Sequence, residues 1–155
     1  PLIFRLSQLR GSHQTPIDLD VLLSGPTPTQ NLFLLSDAGG QNAVSDLDVT
    51  FDDAAASAVS PTSLASGTYR PTRIADESNE NLPAPAPAPS SATELSTFNG
   101  ASANGTWSLW IVDDATGDSG SISGGWCLTI TTPAPTGTAL TAAPNPSSHG
   151  QSVAL

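Results

Sequence analysis

The run Asp18-Leu19-Asp20-Val21-Leu22-Leu23 places Leu19, Val21 and Leu23 on one side of an extended chain and both carboxylates on the other. That is the pattern of a half-buried strand, and Ser24-Gly25-Pro26 ends it with turn-forming residues. Asn31-Leu32-Phe33-Leu34-Leu35 is apolar on both faces, which predicts a strand covered on two sides before Ser36-Asp37-Ala38-Gly39-Gly40 closes it. Asp46-Leu47-Asp48-Val49-Thr50-Phe51-Asp52 alternates without a break, with Leu47, Val49 and Phe51 inward and Asp46, Asp48, Thr50 and Asp52 outward. Thr106-Trp107-Ser108-Leu109-Trp110-Ile111-Val112 and Trp126-Cys127-Leu128-Thr129-Ile130-Thr131 alternate as well. Turn formers fill Asp113 to Gly120 between them, and Ile122 stands where a returning strand would begin. The pattern predicts an antiparallel pair that turns Trp107, Leu109 and Ile111, with Trp126, Leu128 and Ile130, into one core.

Two stretches interrupt the strands. Asp53 to Ser66 opens on an alanine run but has no periodic apolar stripe, so it reads as an irregular crossover. In Leu82-Pro83-Ala84-Pro85-Ala86-Pro87-Ala88-Pro89 each proline fixes φ and biases its predecessor away from the helical region, which predicts polyproline II. Strands on both sides make it a long loop lying across one fold, because neither half has enough strands to bury a core alone. Pro133-Ala134-Pro135-Thr136-Gly137 reads as a short stiff linker. The expected organisation is a β-sandwich over 1–132, the linker 133–137, and 138–155 as the opening of a second domain.

Length and composition narrow the class. A chain of 155 residues suits one domain with flanking sequence. Hydrophobic residues at 37%, with 13 Gly and 14 Pro, favour short strands joined by many turns. Acidic residues outnumber basic ones by 14 to 4, for a formal charge of -10. Four scattered arginines, Arg5, Arg10, Arg70 and Arg73, cannot build the basic stripe that releases counterions from phosphates, so a nucleic-acid partner is set aside. No apolar run approaches the ~20 residues of a membrane-spanning helix, which argues against membrane insertion. No signal peptide precedes Pro1, so the chain reads as a mature, soluble segment. The absence of Lys and Met, with abundant Ser, Thr, Ala and Gly, is the composition of exported bacterial proteins. The single Cys127 excludes an internal disulfide.

The ordered pieces of the chain resemble the P domain, or P/Homo B domain, found downstream of subtilisin-like proprotein convertases and in exported bacterial proteins. The resemblance rests on His13 followed by Asp18-Leu19 and the strand to Leu23-Ser24-Gly25-Pro26, on Leu34-Leu35-Ser36-Asp37-Ala38-Gly39-Gly40, and on Thr50-Phe51-Asp52-Asp53-Ala54. It continues through Gly67-Thr68-Tyr69-Arg70-Pro71, Phe98-Asn99-Gly100, Asn104-Gly105-Thr106-Trp107-Ser108-Leu109 and Gly117-Asp118-Ser119-Gly120 to Gly124-Gly125-Trp126. It implies a jelly-roll-like antiparallel β-sandwich of about eight strands without catalytic residues, and frequently bound calcium. The tail Ala142-Ala143-Pro144-Asn145-Pro146-Ser147 resembles the start of a bacterial Ig-like repeat, which implies a multidomain secreted or cell-surface parent. No protease domain is present in this chain, and Cys127 stands where Ser or Thr is expected.

Calcium is the sharpest chemical expectation, because a hard divalent cation wants several oxygen ligands and carboxylates cluster near turns here. The candidate ligands form three groups: Asp18 with Asp20; Asp52 with Asp53; and Asp113, Asp114 and Asp118. None matches an EF-hand loop, and each could equally make Asx turns on a solvated surface; the family likeness favours calcium. Gly117-Asp118-Ser119-Gly120 has the look of a protease nucleophile segment, but only His13 and His149 could serve as base and the turn reading accounts for it. His13 is assigned a structural role. Trp110, opposite in face to Trp107, either offers a binding aromatic or covers a second face. The expected function is a non-catalytic structural or adhesion module. Its expected partners are neighbouring domains of the same polypeptide, other protein subunits or surface ligands. Two alternatives stay open: an accessory domain of a secreted hydrolase, and a filament subunit in which the segment Val153 to Leu155 completes a neighbour's sheet.

Overall fold

The computed structural model describes residues 3–74 and 82–131, so the linker, the expected second domain and the segment Val153 to Leu155 lie outside the described residues. Nine strands are described: β1 (Ile3–His13), β2 (Leu19–Ser24), β3 (Asn31–Ser36), β4 (Val44–Asp52), β5 (Gly67–Tyr69), β6 (Thr72–Arg73), β7 (Ser108–Asp113), β8 (Gly120–Ile122) and β9 (Cys127–Thr131). They form two sheets. The first runs β5-β4-β1-β8, with β9 also on β1, and the second runs β6-β3-β2-β7. Between them lies one core, in which Leu6, Leu23, Leu32, Leu34 and Phe51 are fully buried. Strands from both sides of the proline stretch share these sheets, β7 against β2 and β9 against β1.

The β-sandwich is the expected class, but its sheets are mixed rather than wholly antiparallel. The β4–β5 and β3–β6 pairs are parallel. Parallel neighbours need a long crossover, and the irregular segment 53–66 supplies it, returning the chain to lie along β4 and then along β3.

The expected hairpin between Trp107 and Trp126 does not form. β7 pairs with β2 in one sheet, from Leu19 opposite Asp113 to Ser24 opposite Ser108. β8 and β9 pair in succession along β1 in the other sheet, with the register slipping by one residue between them. Residues 114–119 therefore cross from one sheet to the other. Period-two alternation does not distinguish the two arrangements, since strands in facing sheets point their apolar side chains into the same core. Trp107, Leu109, Trp126, Leu128 and Ile130 do pack against that core, but from opposite layers, whereas Ile111 remains 37% exposed. Phe98, from the 3-10 helical turn Leu95–Phe98, packs edge-on to Trp107 at 5.0 Å and beside Phe4 at 5.5 Å.

The second sheet is covered on its outer face as well. Leu22, Phe33 and Leu82 are buried together there, with Trp110, Val112 and Ala86 packed around them. Trp110 donates its indole N–H to Ser24 Oγ at 2.9 Å, so it covers this face rather than presenting a free aromatic. The proline segment that provides Leu82 is not an unbroken polyproline II run. Ala86 N–H turns back to the Pro83 carbonyl at 3.1 Å as the chain bends onto the sheet. Asn31, fully buried, fixes its far end: Nδ2 donates to the carbonyls of Pro28 (2.8 Å) and Ala88 (3.0 Å), and Oδ1 accepts from Ser90 N–H (2.7 Å). The Ser90 hydroxyl also donates to the Asn31 carbonyl.

Burial corrects the expected exposure of two carboxylates. Asp20 lies on the outer face of β2 yet is 5% exposed. Asp52, 8% exposed, lies under Arg5 of β1, which bonds it at 2.7 Å. Arg10 and Asp48 form a second pair between the same two strands at 2.9 Å, half in solvent.

Candidate metal centre

Two connections cross between the sheets at one end of the sandwich. The first, from β1 to β2, passes through the 3-10 turn Pro16–Asp18, and the second is the 114–119 crossing after β7. They are tied together by Asp114 N–H to the Asp18 carbonyl at 3.0 Å and by Ser119 N–H to Gln14 Oε1 at 2.9 Å. This junction brings Asp18, Asp113 and Asp118 together, one carboxylate oxygen from each lying within 4.8 Å of the others.

Asp118 decides what the cluster can do. Both of its carboxylate oxygens are sealed from solvent, and neither accepts a hydrogen bond. A buried carboxylate left without donors is costly, and like charges beside it raise the cost further. Asp18 registers the same crowding: burial pushes its carboxyl above the ordinary carboxylate range, the charges of Asp118, Asp114 and Asp113 push it further, and His13 opposes them. A cation at the centre would satisfy all three groups at once.

Asp113 is held in place from behind. Thr15 N–H donates to Nδ1 of the buried His13 at 3.1 Å, so that nitrogen carries the lone pair and Nε2 carries the hydrogen, 3.2 Å from Asp113 Oδ2. The other carboxylate oxygen of Asp113 accepts from Ala115 N–H at 3.3 Å. Gly120 makes this packing possible, since a Cβ there would lie 2.2 Å from His13 Cδ2 and 2.7 Å from the Ser12 carbonyl.

The remaining candidate ligands are placed elsewhere. Asp114 is exposed and outside the group, although near enough to act on Asp18. Asp52 accepts from Arg5 and from Ala54 N–H, and these bonds hold its carboxyl below the usual range despite the opposing effect of burial. Asp53 accepts from Leu95 N–H at 2.8 Å and Ser96 N–H at 2.9 Å, capping the short turn that carries Phe98. Asp20 faces the outer side of β2, where burial raises its carboxyl to about 6, helped by Asp114 and Asp37 and opposed by the Ser36 hydroxyl and Arg73.

A raised carboxyl weakens the fold once it ionises. The penalty at Asp20 is fully present above about pH 6 and is relieved as the pH falls towards the unfolded value of 3.8. With divalent cations chelated, the melting temperature is expected to rise between pH 7.5 and 5. Asp20→Asn should melt higher at pH 7.5 by an amount equivalent to about 1 kcal/mol, after allowance for solvent screening, and should show a smaller rise, with the raised carboxyl of Asp18 still contributing its share. Parallel pH profiles of the two proteins would refute this assignment.

No family model matches the chain, and no curated protein or solved structure matches it.

Proposed function

We infer that the chain is a non-catalytic β-sandwich module whose two sheets are fastened at one end by a calcium ion held between Asp18, Asp113 and Asp118. Its role is structural or adhesive, within an exported or surface bacterial protein. The observation that carries this reading is Asp118, a carboxylate closed off from water with no donor of its own and two further carboxylates in reach. A cation bound at about 2.4 Å from each oxygen spans such a group, and all-oxygen ligands suit calcium. A soft transition metal is a poorer match, because the nearest imidazole is already committed at both nitrogens and Cys127 is exposed on β9. The likeness to the P domain points the same way.

A passive role agrees with the state of the only described histidine. A catalytic serine would need a basic imidazole nitrogen beside it, whereas the free lone pair of His13 is taken by Thr15 N–H. Ser119 in turn meets Gln14 through its backbone.

An ion that binds only the folded chain must raise its stability by mass action. Excess calcium over chelator is expected to raise the melting temperature by roughly 5 to 10 °C, equivalent to about 2 to 3 kcal/mol at a hundredfold excess over Kd. Superimposable melting curves in calcium and chelator would remove the ion from the account.

A further inference from the structure

Between the sheets, at the same end as the carboxylate cluster, lies a cavity of about 240 Å³ that opens to solvent. Its inner wall is made of Leu9, Val21, Leu47, Val49, Phe51 and Leu64, from both layers of the core. Ile111 and Ile122 also line it and remain 37% and 44% exposed, an unusual amount for large aliphatic residues on strands of the two facing sheets. Asp113 and His13 line it as well, so one residue belongs to both the cavity and the cluster.

Close-packed interiors seldom leave such a volume apolar and unfilled. A dry cavity of about 150 Å³ accommodates one benzene ring, so a space of this size takes a bicyclic ring or an alkyl chain of roughly eight carbons. The polar residues of the lining, Ser12, His13, Ser121 and Asp113, come from the paired ends of β1 and β8 and from the end of β7, which sets the direction of a guest: hydrocarbon towards the apolar wall, oxygen towards these ends. Three aspartates also leave several positions of a calcium shell open to other oxygens.

We propose that this cavity is a binding site for a small amphipathic molecule whose alkyl or aromatic part lies between the sheets and whose oxygen-bearing head lies at Asp113, where a carboxylate head completes the coordination of the cation. Occupation of the cavity stands on its shape and lining, whereas the role given to the head group rests on the calcium reading. An uncharged head is accepted with or without the ion. A carboxylate head is repelled by Asp18, Asp113, Asp114 and Asp118 unless the cation is present.

The test uses 1-octanol and octanoate with the full chain, followed by methyl NMR. Octanol should shift the methyl signals of Leu47, Val49, Ile111 and Ile122 saturably, leave Leu22 on the outer face unchanged, and do so equally in calcium and chelator. Leu47→Trp and Val44→Phe, both at residues that line the cavity and each checked for a cooperative melt, should weaken it at least about tenfold by filling the space. Unsaturable or scattered shifts, or unchanged binding in both folded variants, would overturn the proposal. Octanoate should bind at least about tenfold more tightly in calcium than in chelator. If octanol binds as described but octanoate ignores calcium, the cavity site stands and the head-group role at the ion fails.

Discussion

With divalent cations chelated, Asp118→Asn is expected to melt above the natural chain, and in excess calcium below it. The change of sign follows from what surrounds the side chain. Without an ion, Asp118 holds a sealed charge beside Asp18 and Asp113 with no hydrogen bond to offset its lost hydration. Asparagine keeps the shape and removes the charge, which relieves about 1 to 2 kcal/mol, or roughly 3 to 8 °C in a domain of this size. In calcium the natural chain gains the free energy of binding, about 2.7 kcal/mol at a hundredfold excess over Kd, and the variant, short of one anionic ligand, loses most of that gain. Thermal melts of both proteins in both conditions give the four values needed. A shift of the same sign in calcium and chelator would mean that Asp118 is an ordinary structural carboxylate.

Asn31→Leu should be among the most damaging single substitutions, lowering stability by about 3 to 5 kcal/mol. Leucine is similar in size, so the loss is chemical rather than a matter of volume. Three side-chain hydrogen bonds disappear, and Ser90 N–H and the carbonyls of Pro28 and Ala88 lose a partner that is itself fully buried. Hydrogen exchange of the variant should show the greatest loss of protection around Ser90 and along β3, because the bonds to Ala88 and Ser90 tie the proline loop to that strand. A variant within about 1 kcal/mol of the natural chain would show that the loop is loosely laid on the sheet instead of built into it.

The two substitutions act on features that were unequally legible in the sequence. Strand positions followed from alternation, and the double-sided apolar run from Asn31 to Leu35 correctly announced a strand covered on both faces. The cover itself was not legible, because nothing in a proline repeat specifies which surface it crosses. Asp20, on the same outer face of β2, was expected in solvent and is buried. The assignment of strands to sheets was lost in a similar way: Trp107 and Trp126 point into the core whether their strands pair or face each other, and the turn formers between them serve a crossing as well as a hairpin.

The same limit applies to the site. Sequence proximity set Asp18 with Asp20 and Asp113 with Asp114 and Asp118, yet Asp18 ends the 3-10 turn before β2 begins and Asp114 follows the end of β7, so neighbours in sequence part company where a strand meets a connection. The group that forms takes Asp18 from one crossing and Asp113 and Asp118 from the other, with Asp114 and Asp20 left outside. Gln14 and the bond from His13 to Asp113 were missed altogether, since they depend on two connections meeting at the same end of the sandwich. Gly120, the last residue of the Gly-Asp-Ser-Gly turn, was the available sign that something packs closely there.

The most direct measurement is a calorimetric titration of the chelator-stripped chain with calcium, beside the same titration of Asp118→Asn. The natural chain should bind one ion saturably at this junction and the variant should bind it at least about tenfold more weakly. Absence of saturable binding, or equal binding by both proteins, would contradict a cation held between Asp18, Asp113 and Asp118.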